Sequence, residues 1–381
     1  MNSTTHTPFK VLIVGGGVAG LEAALALQDL AGDRIATTLL APTAEFVYRP
    51  MRVREPFAYS AAQRYSLEEL TRDIGVELVQ DAFKWLNPER RLVHTENGES
   101  LAYDALLLAP GATLRPRFEH ALTLDDSRLD EQLHGLVQDV EGGYVHKLAF
   151  LSPIPMPWPL PLYELALMTA RRAYDMNVDV SITLATPEDA PLAVFGSQVS
   201  EAVDRLLVDN GILVVPSAHA ATPAAGQVTL HPGGRELYVD RVVALPQLFG
   251  PDLPGVPTGS ASGFVAVDAH CQVRTLDSVF AAGDVTDFPV KHGGIAAQQA
   301  DTAAEAIAAR SGVSLKPRPF NPVIHGVLLG GETPLYVSAH ITGGHGSSSK
   351  VSTTPTWSPA TKIAAKYLAP YLESRDRAAV R

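Results

Sequence analysis

The residues Gly15-Gly16-Gly17-Val18-Ala19-Gly20 follow a short apolar run, Phe9 to Val14, and open a segment with apolar positions at Leu21, Leu25 and Leu27. That strand, turn and helix order is the setting in which G-x-G-x-x-G binds a dinucleotide. Gly15 permits the tight turn, Gly17 lets the backbone approach a pyrophosphate, and Gly20 allows close packing of helix on strand. Ala19 and its neighbours sit at a helix N-terminus, which favours the anion. A second strand near Thr37 to Leu40 completes a βαβ unit. The acidic ribose ligand expected at its end is missing: the position falls near Ala41 and Pro42, and the nearest carboxylate is Glu45. Another group must hold the ribose.

A second constellation lies more than two hundred residues downstream. Thr275 to Asp284 reads TLDSVFAAGD, and it resembles the second flavin motif of flavoproteins with two dinucleotide-binding domains. The resemblance implies that Gly283 and Asp284 meet the ribityl chain of FAD. Between the two motifs, Tyr103 to Ala112 looks like that family's mid-chain strand ending in Ala-Thr-Gly, here Ala109-Pro110-Gly111. Phe46-Val47-Tyr48-Arg49-Pro50 resembles the segment that sulfide:quinone reductases and type II NADH dehydrogenases place beside the isoalloxazine, which implicates Arg49 and Pro50. Pro289 to Gln298, with Lys291, Gly294 and Ile295, resembles the lysine-glycine segment leading into a helix under the flavin. A lysine and a helix N-terminus both place positive potential where reduced flavin gathers negative charge. Lys291 is the candidate flavin-tuning cation. Together these features resemble the pyridine nucleotide-disulfide oxidoreductase-like family, in its sulfide:quinone reductase and type II NADH dehydrogenase branch.

Departures from that branch are as informative. The resemblance implies redox cysteines, yet the chain has one cysteine, Cys271, so no two-cysteine relay can form. Nothing local marks Cys271 as a thiolate, and it reads as structural. Where such enzymes carry their first cysteine, this sequence has Pro155 to Pro161, with Trp158 close to the register. Five alternating prolines, Pro153 to Pro161, deplete the N–H groups from which a pyrophosphate cradle is made. Glu164, at the start of the following helix, matches the glutamate that reductases of the family hold near flavin N5. It is the candidate acid/base. As a first-turn carboxylate it also suits the helix dipole alone. Thr186-Pro187-Glu188 still resembles a nucleotide domain, so NAD(P)H use stays open.

Other signals are weaker. His325, His340 and His345 lack metal-ligand spacing, and no metal is expected. Gly343 to Lys350 lacks the G-K-[ST] order of a phosphate loop and reads as a mobile loop, a candidate lid over the flavin. Ser358 and Pro359 predict the cap and first turn of a final helix near Ala360 to Leu368, with Ile363, Tyr367 and Leu368 as a short stripe beside Lys362 and Lys366. Such a stripe favours intramolecular packing over a membrane surface.

The elements that must position these groups follow from local pattern. Strands are expected at 77–79, 91–95, 104–108, 147–151, 178–184, 212–215 and 279–282, with helices at 162–174, 198–209 and 296–310. Turns are expected at Asn97-Gly98 and Pro232-Gly233-Gly234. The fold class is α/β: two Rossmann-like dinucleotide-binding domains, the FAD domain discontinuous and an NAD(P)-like or substrate domain inserted, plus a small C-terminal α+β region. The corresponding spans are 1–122, 123–262, 263–315 and 316–381.

At 381 residues the chain is long enough for such a set at roughly 150 residues per domain. Apolar residues are 46%, charged residues 19% and mean hydropathy +0.07, a globular composition. Thirty basic against 41 acidic side chains give a net charge of −11, which repels a phosphate backbone and argues against nucleic-acid partners. No apolar stretch reaches the ~18 residues of a membrane span and no signal peptide is visible, so a cytoplasmic setting is expected. The expected activity is FAD-dependent two-electron transfer from a small-molecule donor, with NAD(P)H one option, to an acceptor, with quinone one option. Glu164 handles a proton in this reading. The alternatives are a sulfide:quinone reductase-like enzyme without cysteine chemistry and a flavin-bearing redox sensor whose partner reads the flavin state. The oligomeric state stays open, a homodimer included.

Overall fold

The computed structural model describes residues 7–124, 129–156, 158–259, 262–342 and 345–379. Two five-stranded parallel sheets organise it. The first has the spatial order Val279–Ala281, Ala105–Leu108, Phe9–Val14, Ile35–Leu40, Glu77–Val79. Its central strands are nearly continuous apolar runs because helices and loops cover both faces; Ala105, Leu106, Leu107 and Leu108 are all fully buried. The second sheet has the order Leu122–Thr123, Arg241–Ala244, Lys147–Leu151, Ser181–Ala185, Ile212–Val215. The chain leaves the first sheet after Leu108 and rejoins it at Val279. Its two crossings are zipped together where Thr113–Arg115 pairs antiparallel with Gln247–Phe249.

The helix after the glycine turn, Val18–Ala31, packs closely on the long alanine helix, Gly293–Arg310. Fully buried Ala23, Ala26, Ala300 and Ala303 permit that approach. On the second sheet lies the helix after the proline turn, Leu160–Asp175. A three-stranded antiparallel sheet, Val323–Leu328, Leu335–Thr342 and His345–Ser352, adds Ile324, Leu328 and Val337 to the second sheet's core. The C-terminal helix, Leu368–Ala379, instead inserts Leu368 and Leu372 into the first. The expected α/β class and its two Rossmann-like sheets are therefore present.

Two local expectations fail. The segment Ala360 to Tyr367 is not helical, and the last helix begins at Leu368. Its backbone donors are taken by distant groups: Ile363 N–H goes to the Tyr48 hydroxyl (2.9 Å), and Tyr367 N–H to Glu22 (2.9 Å). The expected Gly/Ser lid is a strand from His345 to Ser352, while Gly343 and Gly344 lie outside the described residues. Gly346 serves close approach rather than mobility, since a Cβ there would stand 2.3 Å from the Val194 carbonyl oxygen. Among the described residues no helix is long and apolar enough to cross a membrane.

Candidate active site

Parallel pairing brings the C-terminal ends of Phe9–Val14, Ala105–Leu108 and Val279–Ala281 to one edge, so Gly15, Ala109 and Gly283 emerge side by side. This is the edge where open α/β sheets bind ligands. Gly15 has φ +115°, and a Cβ on it would lie 2.2 Å from the Ala109 carbonyl oxygen. A Cβ on Gly20 would lie 1.9 Å from the Gly15 oxygen, so Gly20 is required by the turn itself. A Cβ on Gly17 would meet nothing within 4 Å. Gly17 also caps the helix without a side-chain acceptor, leaving a first turn built from the amides of Val18, Ala19 and Gly20.

The other predicted residues take definite places around that edge. Ala41 is fully buried and donates its N–H to Val79 (3.1 Å), while Glu45 turns to Arg64 (3.1 Å). Neither is a carboxylate for a ribose. Gly111 has φ +85° and open space beside it. Gly283 has φ +84°, donates to Gln299 (2.8 Å) and is wedged between the Cβ atoms of Ala19 and Ala296. Burial pushes the Asp284 carboxyl up, and Lys291 and then Arg49 pull it back down. Arg49 thereby acts electrostatically on a carboxylate 235 positions away. A glycine turn open on its outer side, an uncapped helix start and a carboxylate flanked by two cations fit the pyrophosphate and ribityl chain of FAD.

Lys291 is about 9% exposed, donates to the Thr286 carbonyl, and stands 3.8 Å from the centre of the Phe264 ring. Burial lowers it to about 8, against the pull of Asp284 and Asp287. His292 caps the alanine helix, accepting from Gly294 N–H at Nδ1 (3.1 Å). Burial, then His325 and Lys362, depress it to about 3, so the imidazole is neutral. Ile295 packs into the second sheet's core rather than the first's. Cys271 is buried with its thiol pushed up to about 12, which fits a structural residue.

Glu164 departs from its first-turn reading, because the helix begins at Leu160 and places it in the second turn, fully buried. Both of its oxygens accept from Lys362 Nζ at 2.7 Å, and Oε1 also accepts from Leu329 N–H (2.9 Å). Lys362, itself about 9% exposed, donates further to the Pro50 carbonyl (3.2 Å). Burial raises the Glu164 carboxyl, while Lys362 opposes the rise. Lys362 is the residue that sequence reading misses as a partner, since its local pattern puts it beside an apolar stripe and 198 positions separate it from Glu164. It lines a cavity of about 320 Å³ with Tyr48, Tyr65, Val327, Tyr336 and Leu372.

Trp158 falls close to the register where the resemblance puts a cysteine. Its ring lies 4.6 Å from His292 and 5.7 Å from Phe195. Pro157, beside it, lies outside the described residues. His325 packs at a tilt against Trp357 (ring centres 4.9 Å apart), and no cluster of three or more side chains able to hold a metal occurs among the described residues. Glu188 is buried and bonded to Tyr163 (2.8 Å).

The family match and the relatives it sits among support a flavin-dependent oxidoreductase. Residues 9–137 match the pyridine nucleotide-disulphide oxidoreductase family, and the chain carries a domain of that family. It is 27% identical over 297 residues to a NADH dehydrogenase-like protein of Mycobacterium tuberculosis, covering 72% of each chain. It is 26% identical over 306 residues to the sulfide-quinone reductase of Aquifex aeolicus, covering 73% of this chain and 69% of that one. The solved sulfide:quinone oxidoreductase of Aquifex aeolicus shares the fold with a TM-score of 0.77 at 19% identity, over 97% of this chain and 89% of that one.

Proposed function

We propose that this chain takes two electrons from a small donor and delivers them to an acceptor of quinone type seated in the cavity beside Lys362. The observation that carries this reading is the buried Glu164–Lys362 pair, whose lysine lines that cavity. The name of one relative, sulfide-quinone reductase, points to the same class of acceptor. FAD, when bound, supplies the two-electron exchange. Gly15, Gly17, Gly20, Gly111, Gly283 and Asp284 would hold it, with Arg49 and Lys291 balancing the Asp284 charge.

The chain's own groups supply the protons and the shape. Lys362 Nζ offers a donor to an acceptor oxygen, which is the group that must be protonated when a quinone becomes a quinol. Glu164, held by Leu329 N–H, keeps that ammonium aimed and can take up the proton balance from behind it. Tyr48 is fixed by Ile363 N–H at the cavity wall, and Val327 and Leu372 give it an apolar lining. Cysteine chemistry has no part, because Cys271 is buried in the first sheet's core.

The test follows reoxidation of dithionite-reduced holoenzyme by a water-soluble quinone. Glu164→Gln and Lys362→Met should each slow it by about 10²-fold, a typical general acid contribution, at unchanged flavin content. Unslowed reoxidation in both variants would remove the pair from the reaction.

A further inference from the structure

The second sheet repeats the backbone plan of a dinucleotide site, but the parts that would grip the nucleotide are depleted of donors or turned into the core. At the first sheet the helix start offers Val18, Ala19 and Gly20. At the second, the N-cap is Pro159 and the first three residues are Leu160, Pro161 and Leu162. Pro161 has no N–H to give. The Leu162 N–H is already bonded to the Pro159 carbonyl (2.9 Å). Leu160 and Leu162 are only 4% and 0% exposed, so the helix start presents apolar side chains inward rather than amides to a ligand.

The ribose end is closed in the same way. Glu188 stands three positions beyond the strand Ser181–Ala185, where an acid would face a ribose diol. Here the carboxylate turns inward. Its Oε2 accepts from the Tyr163 hydroxyl (2.8 Å) and from Thr186 Oγ1 (3.1 Å), and the Glu188 amide returns a bond to Thr186 Oγ1 (3.2 Å); Oε1 is buried away from solvent with no hydrogen-bond partner among the described residues. Tyr163 and Thr186 are both fully buried. Turning Glu188 out to a ribose would strand the buried Tyr163 hydroxyl without a partner. Burial also pushes Glu188 up to about 7, against the bonds from Tyr163 and Thr186, so part of its population is uncharged near neutrality.

We infer that Pro161, Tyr163 and Glu188 are specificity-determining residues that exclude nicotinamide dinucleotides from the second sheet, leaving the enzyme to a non-nucleotide donor. The inference rests on the reading of the chain as a flavin oxidoreductase, and it narrows the donor. Tyr163 and Glu188 then act as a structural lock between the proline-turn helix and the strand beside it.

The experiment is an anaerobic titration of holoenzyme with NADH and then NADPH, following the visible flavin band and, by calorimetry, binding. Dithionite follows as the control that the flavin can be reduced. The expected result is bleaching by dithionite only and no saturable heat from either nucleotide. Saturable bleaching or binding by NADH or NADPH overturns the inference. Glu188→Gln supplies a second readout: a lock residue lowers the unfolding midpoint and leaves quinone-dependent reoxidation unchanged. A ribose ligand would instead show as weakened NADH binding at unchanged stability, which contradicts the inference. Reoxidation of dithionite-reduced enzyme by soluble quinone is scored separately, so failure of the acceptor reading is distinguishable from failure of the donor reading.

Discussion

Two buried carboxylate sites in this molecule show how the partner decides what burial does to an acid. Glu164 meets a lysine, and the pair satisfies itself through two 2.7 Å contacts beside a cavity. Glu22, on the glycine-turn helix and fully buried, spends its oxygens on the amides of Tyr367 (2.9 Å) and Leu368 (2.5 Å) at the start of the C-terminal helix. Its other neighbour is a second carboxyl, Asp301 on the alanine helix. Burial first, and then Glu22, raise Asp301 to about 8, with Lys366 pulling down and Glu305 adding to the rise. Burial and the neighbouring Glu22 thus favour the protonated form of Asp301. The first site holds opposite charges beside a cavity; the second sets two acids against each other where helices meet.

The largest effect should come from unbalancing the first site. Lys362→Met leaves Glu164 buried without its cation and should cost roughly 3–5 kcal/mol of stability, measured by urea unfolding. Adding Glu164→Gln to it should restore much of that loss, because the orphaned charge is gone. A double variant as unstable as the single one would sink the claim that charge, and not packing, sets the cost.

A smaller and pH-dependent effect is expected at the second site. The folded Asp301 holds its proton up to about 8, whereas in the unfolded chain it ionises in the ordinary carboxylate range. The folded state therefore binds more protons across that window, and stability falls as pH rises through it. Asp301→Asn should flatten this slope in unfolding midpoints taken across the window. Parallel curves for wild type and variant would show that Asp301 does not stay protonated across it.

The smallest effect separates both acid sites from the cation beside Asp284. Lys291→Met removes a positive charge from the predicted flavin edge and should lower the flavin midpoint potential by about 30 mV, equivalent to about 1.4 kcal/mol for two electrons. An unchanged potential in a redox titration against dyes would limit Lys291 to holding Asp284 and Thr286.

Legibility followed sequence distance. The glycine turn, the strand carrying Ala105 to Leu108 and the Gly283-Asp284 pair are local patterns, and each lies at the strand or strand end where its pattern put it. Glu164 was visible as a residue, but its helix started two positions earlier than its pattern indicated, and its role changed with its partner. The missed final turn has a specific cause: Tyr48 and Glu22, more than three hundred positions away, take the N–H groups that helix formation would have used. The Gly/Ser run of 343–349 misled because glycine serves close strand packing as well as mobility, and Gly346 sits against Val194.

By itself, the sequence determined the α/β plan, the dinucleotide turn at Gly15 to Gly20, the absence of a two-cysteine relay and the depletion of N–H groups in the proline turn. These depend on residue type and short spacing, which backbone sterics and hydrogen-bond inventory translate directly into structure. Only the tertiary structure decided that Lys362 faces Glu164, that the Arg49 charge bears on Asp284 and that Glu188 turns inward onto Tyr163. A buried charge or hydroxyl takes whichever partner the packed core brings within hydrogen-bond reach, and that is set by how the sheets and helices stack.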